Sequence, residues 1–348
     1  GMRASSVVRR WVVRILVAAV VLVVMVAAAA ALLAVTAPSP RPAAGWSRGA
    51  GLPEARGETA GAVVTIEGRE QLAVIGGLKG LFVTASDTVE LYDPASRRWR
   101  QRPPLPEPRH HLAAAGIGGT LFAAGGASSP SDWTPRREVW RLQQGARTWE
   151  PLPPLPEGRH GHRLMIVDNV LYVIGGSGGA AVLRLNPDAP HEGWSRRSDL
   201  PHPRNHLGAV TVDGEIWVIG GRDGGGIVDR VDIYDPRLDR WRMGPALPAP
   251  TSGAAVGFVE GWIVISGGED PRLLGGVIDR HWRIRPGGTR WEPAPRSPLS
   301  VHGAADGVVG GRLLVAGGAA RHGVLSPLAW TPLTQSLDEP GRRVRVSS

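Results

Sequence analysis

Glu215-Ile216-Trp217-Val218-Ile219-Gly220-Gly221, residues 215–221, reads as a short buried strand that stops at a glycine pair. The pair is the informative part, because glycine allows positive φ and close backbone approach where a strand ends. The same pattern occurs six times. Gly76/Gly77, Gly125/Gly126, Gly175/Gly176, Gly220/Gly221, Gly267/Gly268 and Gly317/Gly318 recur at intervals of 49, 50, 45, 47 and 50, each after an apolar run.

Three further series keep step with it. Trp46, Trp99, Trp149, Trp194, Trp241 and Trp291 are spaced 53, 50, 45, 47 and 50 apart. Tyr92, Trp140, Leu185, Tyr234, Trp282 and Trp330 lie between the glycine pairs and the next tryptophan. Arg56, Arg109, Arg159, Arg204, Thr251 and Val301 precede the glycines by 16 residues in five units and by 20 in the first, which places a four-residue insertion near Ile66–Gln71. Each unit therefore reads as four short strands, a to d. A repeat of about 45–50 residues with four strands is a propeller blade. One such sheet cannot bury both faces alone, and the large aromatic side chains suit the wedge between blades. The expected fold class is all-β, a six-bladed β-propeller.

Gly-Gly, then Tyr-Asp-Pro, then Trp at this spacing resembles the Kelch repeat. The resemblance runs from residue 46 to about 333. Pro203-Arg204-Asn205-His206, Gly220-Gly221-Arg222-Asp223-Gly224 and Gly267-Gly268-Glu269 look most like the bacterial Kelch proteins often labelled galactose-oxidase-like. The last unit reaches its strand c at Trp330 and lacks a d-strand Trp of its own. Trp46 is therefore expected to supply it, giving a propeller over residues 46–335 with no open edge and a loose tail at 336–348.

The N-terminal tract has another character. Gly1 before Met2 reads as a cloning scar. Residues 1–14 carry Arg3, Arg9, Arg10 and Arg14 and no acid, and Ile15 to Val35 runs without a charge. At 1.5 Å per residue this run spans about 30 Å, the thickness of bilayer hydrocarbon. Residues 15–36 are expected to form a transmembrane anchor, with a cleaved signal peptide as the competing reading. Either way the positive side stays cytoplasmic and the domain beyond the Pro-rich linker at 37–45 is exported.

Composition excludes several functions. With no cysteine, disulfides, thiolate catalysis and Cys-rich zinc sites are ruled out. The net charge of +9 is almost all arginine, dispersed among acids, so no nucleic-acid stripe is seen. The propeller is expected to be monomeric, without a cofactor.

The resemblance implies that the loop between strands d and a, and the loop after Gly-Gly, face one mouth of the central channel. The first loop carries Arg56 and Glu58, Arg109, His110 and His111, Arg159 and His160, Arg204, Asn205 and His206, Ser252, and His302. The second carries Arg222, Asp223, Glu269 and Asp270. Such a mouth would suit an anionic or hydroxyl-rich carbohydrate, peptide or protein ligand. For each arginine a second reading stays open, that it bonds to neighbouring carbonyls. No metal is expected, since the histidines come from different blades and of His160 and His162 only one would point inward. The copper-radical chemistry of galactose oxidase needs a Cys-Tyr cross-link and is excluded. Resemblance to the exported sialic acid mutarotase would need one acid–base pair, for which Glu269 is the candidate. A binding module leads, with an enzyme on an anionic sugar and a structural scaffold as alternatives.

Overall fold

The structure is a computed structural model and describes residues 2–272, 276–321 and 323–344. The chain divides into two units, Gly1–Ser39 and Pro40–Ser348. The first is one helix, Met2–Val35, whose segment Trp11–Leu32 is long and apolar enough to cross a membrane.

The second unit is all β. Among the described residues it holds six four-stranded antiparallel sheets, plus two small hairpin sheets. Five sheets run a-b-c-d in chain order. The sixth takes strands a to c from Ala305–Val309, Arg312–Ala316 and Thr334–Leu337, and strand d from Trp46–Arg48 at the other end of the unit. Trp46 pairs with Leu337 and Arg48 with Gln335 in that seam. The innermost strands, Ala60–Ile66, Ala113–Ile117, Arg163–Val167, Gly208–Val212, Ala255–Val259 and Ala305–Val309, touch one another in a closed cycle around a central channel. The buried apolar clusters each draw on two neighbouring sheets, so the core is a set of wedges between blades.

Two of the repeated residue types have a direct cause. The second glycine of every pair donates its N–H to a carbonyl at the head of the next blade. These bonds run Gly77 to Arg109, Gly126 to Arg159, Gly176 to Arg204, Gly221 to Thr251, Gly268 to Val301 and Gly318 to Arg56, all at 2.7–3.0 Å. A Cβ on the first glycine would lie 2.4 Å from that carbonyl oxygen at Gly76 and Gly125. No other residue fits so close an approach. Each d-strand tryptophan acts likewise, its indole N–H donating to a carbonyl in the preceding blade. Trp99 reaches Ala50, Trp149 Pro103, Trp194 Pro153, Trp291 Pro245, and Trp46 closes the circle on Pro295 at 3.0 Å. A ring that fills the wedge and carries one donor is what that position requires.

The first hairpin shows where its extra residues went. Its strands a and b have seven residues each where the other blades have five. Two expectations are corrected at the C-terminal end. Trp330 precedes strand c of the sixth blade and only bridges Ala319, while the strand is Thr334–Leu337. The 3-10 turn Gly323–Leu328 lengthens the connection and delays the strand. Residues 336–342 are correspondingly not loose. Ser336 and Leu337 are in the sheet, Gly45 O accepts from the N–H groups of Asp338 and Glu339, and Arg283 donates to the carbonyls of Pro340 and Arg342.

Candidate functional site: the mouth of the channel

The loop entering each blade places three consecutive residues in three different surroundings. The first points into its own blade. Arg56 donates to Gly76 O, Val74 O and the Glu90 carboxylate (2.7 Å). Arg204 repeats this with Gly220 O, Val218 O and Asp232 (2.8 Å). Arg159 bonds to the carbonyls of Gly175, Gly179 and Ala181 and to Glu157. Arg109 pairs with Glu138 and Glu107 and lies over the Trp140 ring. All four are buried. The expectation that these arginines offer positive charge to a ligand is therefore corrected: a guanidinium spanning strands b and c satisfies orphan carbonyls of its own sheet. In the fifth blade Thr251 makes one such bond, to Gly267 O.

The second residue of each triplet bridges the residue after the glycine pair. His110 pairs with Ala127, His160 with Ser177, Asn205 with Arg222, Ser252 with Glu269 and His302 with Ala319.

The third residue forms the neck of the channel. These are Glu58, His111, Gly161, His206, Gly253 and Gly303, all at φ between 51° and 63°. Their backbones are linked from blade to blade. His111 N–H donates to Glu58 O, Gly161 to His111, His206 to Gly161, Gly253 to His206 and Gly303 to Gly253, at 2.7–3.1 Å. Thr59 N–H completes the circuit on Gly303 O at 3.2 Å. At Gly303 a Cβ would meet the Glu58 carboxylate at 2.7 Å, so a missing side chain there makes room for Glu58.

A chain of charges crosses this neck. Glu58 contacts His111 Nε2 (3.1 Å) and His302 Nδ1 (3.2 Å). His302 Nδ1 also faces Glu269 (3.4 Å), Glu269 accepts from Arg222 (2.8 Å), and Arg222 donates to His206 Nε2 (2.9 Å). Burial alone would lower the His302 pKa, but Glu269 and Glu58 outweigh it and push it up to about 9. Burial likewise opposes ionisation of Glu58, yet His111 and His302 hold its carboxyl well below the usual range. Three other imidazoles, His110, His160 and His206, are held towards the neutral form. Burial, then His111, lowers His110 and His160 to about 4, and burial with Arg222 holds His206 well below its ordinary value. His302 and Arg222 therefore sit against the carboxylates of Glu58 and Glu269, which corrects the expectation of a strongly basic mouth.

Glu58, His111 and His206 each present a ligand atom within 4.8 Å of the others. They come from three blades, so the expectation that histidines on different blades would not converge is also corrected: the ring brings one residue per blade to a common axis. Of the remaining candidates, Asp223 lies on an exposed hairpin and caps Gly225 N–H. Asp270 holds Arg272 through both carboxylate oxygens.

Two functional features escaped the sequence reading. Trp133, 43% exposed, lies beside the neck with ring centroids 4.7 Å from His111, 4.9 Å from His110 and 5.6 Å from His160. It belongs to none of the repeated series, and that was its only signal. Deeper in, a channel of about 400 Å³ is crossed by Arg163 and Asp306. Their bidentate pair (2.7 and 3.2 Å) joins the third blade to the sixth. Arg163 stands where the other blades carry Ala60, Ala113, Gly208, Ala255 and Ala305.

His162 follows the neck residue Gly161, where neighbouring blades have Leu112 and Leu207. It is 4% exposed, and neither ring nitrogen has a hydrogen-bond partner among the described residues. Burial, reinforced by Arg159, pushes its pKa down to about 3. The unfolded chain, with His near 6.5, binds the proton more readily, so stability falls as pH drops from 6.5 towards 3. H162L is expected to raise stability at pH 7 by about 1–2 kcal/mol and to flatten the acid limb of a plot of thermal midpoint against pH. A lower midpoint for H162L at pH 7 would show that the imidazole has a structural role.

Comparison with known proteins agrees with this architecture. The Kelch motif matches residues 70–106, 108–156 and 203–248. Kelch-like protein 35 of Mus musculus is 27% identical over 208 residues, 60% of this chain and 26% of that protein. Beta-scruin of Limulus polyphemus is 36% identical over 76 residues, 22% of this chain and 8% of its own length. Kelch-like protein 33 of Homo sapiens is 33% identical over 89 residues, 26% of this chain and 16% of its own. The chain thus spans about a quarter or less of these relatives. The solved structure of YjhT aligns over 81% of this chain and 94% of that one, with a TM-score of 0.66 and 16% identity, a likeness of fold.

Proposed function

From the premise that the chain is a Kelch-repeat β-propeller, we propose that it is a binding module which recognises a protein or peptide partner at the channel mouth. The observation that carries this reading is Trp133. A half-exposed indole beside imidazole rings offers a large, rigid, partly apolar contact of the kind that anchors interfaces. Arg222 and the carboxylate network around it supply polar contacts at its rim. The balance of charge favours a polar, near-neutral segment over a strongly anionic one. The apolar helix tethers this module to a membrane. The arginines before the apolar run keep that end cytoplasmic and leave the propeller on the far side.

A peptide and glycan array probed with the full chain in detergent tests the site. W133A is expected to weaken captured peptides by about tenfold or more, as loss of an interface anchor does, while leaving the thermal midpoint unchanged. Binding that survives both W133A and R222A would move the site elsewhere. An alkaline phosphatase fused after residue 348 should be active, whereas a fusion active only in the cytoplasm would overturn the topology.

A second reading is an enzyme acting on an anionic sugar. Glu269 lies between Arg222 and His302 and is the candidate acid–base group for it. Turnover of a sugar acid that disappears in E269Q would establish it over the binding module.

A further inference from the structure

We propose that Glu58, His111 and His206 bind one divalent transition-metal ion of the zinc class at the neck of the channel. The three ligand atoms lie within 4.8 Å of one another, and the His111 and His206 rings are 4.9 Å apart. Two imidazoles and one carboxylate are the donor set of three-ligand zinc sites, which keep a fourth position for water or another group. Calcium and magnesium want an all-oxygen shell and are poorly served here.

The backbone supplies an independent argument. All six neck positions have left-handed φ, and in three blades the residue is glycine, for which that conformation is free. Glu58, His111 and His206 hold it at φ 53°, 53° and 51°. A side chain there is strained, as a left-handed φ is for any residue but glycine. Glycine would serve the hydrogen-bonded ring equally well, as Gly161, Gly253 and Gly303 do. What distinguishes these three positions is that their side chains converge on one point.

Each side chain is also held from behind. His206 Nδ1 bonds Asn205 Oδ1 at 2.5 Å, which leaves Nε2 for the channel. His111 Nδ1 meets His110 Nδ1 at 2.6 Å, which turns Nε2 towards Glu58. His302 contacts the second oxygen of Glu58. Partners of this type fix ring tautomer and carboxylate orientation around bound metals. Arg222 Nη2 now donates to His206 Nε2, and a metal would take its place. Arg222 retains Glu269 through its other terminal nitrogen, and its Nε retains Asn205 Oδ1. The mouth then holds a cation with an open position beside Trp133, on the surface proposed to contact the partner.

The test needs no partner, so its failure leaves the binding-module reading standing. The full chain in detergent, stripped with a chelator, is titrated with Zn²⁺ and separately with Co²⁺. One equivalent of Zn²⁺ per chain is expected, with a Co²⁺ ligand-field spectrum of low coordination number. H206G and H111G keep a residue already used at this neck, so the fold should survive. Each should weaken Zn²⁺ binding by about 100-fold or more, and N205A by about tenfold. H191A, a substitution on the exposed turn Pro190–Glu192, controls for surface histidine binding and should change nothing. Absence of stoichiometric uptake by the unaltered chain would overturn the proposal. So would uptake that persists within threefold in the H111G/H206G double variant.

Discussion

Replacing Asp306 with alanine is expected to lower the stability of the propeller by about 3–5 kcal/mol, the range for breaking a buried ion pair from one side. Asp306 is buried and takes both terminal nitrogens of Arg163, and its Oδ2 also accepts the Val256 N–H at 2.8 Å. Arg163 in turn donates to Leu207 O and Ala254 O. D306A therefore leaves a largely buried guanidinium without a counter-charge and an amide without an acceptor. The effect should spread around the ring, because the pair joins blades that are not sequence neighbours. Thermal unfolding followed by tryptophan fluorescence measures it. Removing both charges, in R163M/D306L, should recover part of the loss, because no lone charge then remains in the channel. A D306A midpoint equal to that of the unaltered chain would show that the pair contributes nothing to closure.

R204A should cost about 3 kcal/mol, for the same reason at another site. Its guanidinium makes four contacts: the carbonyls of Gly220, Val218 and His202, and Asp232, met at 2.8 Å. Asp232 keeps Arg230 as a second partner, which holds the loss below that of a fully stranded carboxylate. R204K should not rescue it, since an ammonium cannot present the same planar fork. The decisive comparison is with W133A. R204A should lower the midpoint and leave peptide binding by the folded protein intact, whereas W133A should do the reverse. Loss of binding in R204A at unchanged stability would return the arginines to the mouth.

The arginine series shows how far a repeat can be read. Its register was legible in the sequence, because a four-strand unit recurring at 45–50 residues must place equivalent residues at equivalent points. The direction of a side chain was not. Arg109, His110 and His111 are consecutive, yet one enters its own blade, one bridges the loop after the glycine pair, and one lines the neck. Neighbouring residues separate in this way because the neck residue turns to φ 53°, a conformation so uncommon outside glycine that a histidine in the sequence does not announce it. The position two residues after each member of that series, Glu58, His111, Gly161, His206, Gly253 and Gly303, was available as a series of its own. Its meaning needed the ring.

The stretch 215–221 and its five counterparts determined the class of fold from sequence alone. A glycine pair at the end of a buried strand, repeated with tryptophan in step, has few other physical explanations. The need for glycine beneath the next blade's carbonyl and for an indole donor across each wedge is local and periodic, so it is written in the residues. What only the tertiary structure decided is everything that depends on meeting at the axis: the Arg163–Asp306 pair, the convergence of Glu58, His111 and His206, and Trp133 beside them. Asp306 lies 143 residues from Arg163. Only closure of the ring brings such residues within reach, and closure is a property of all the sheets together.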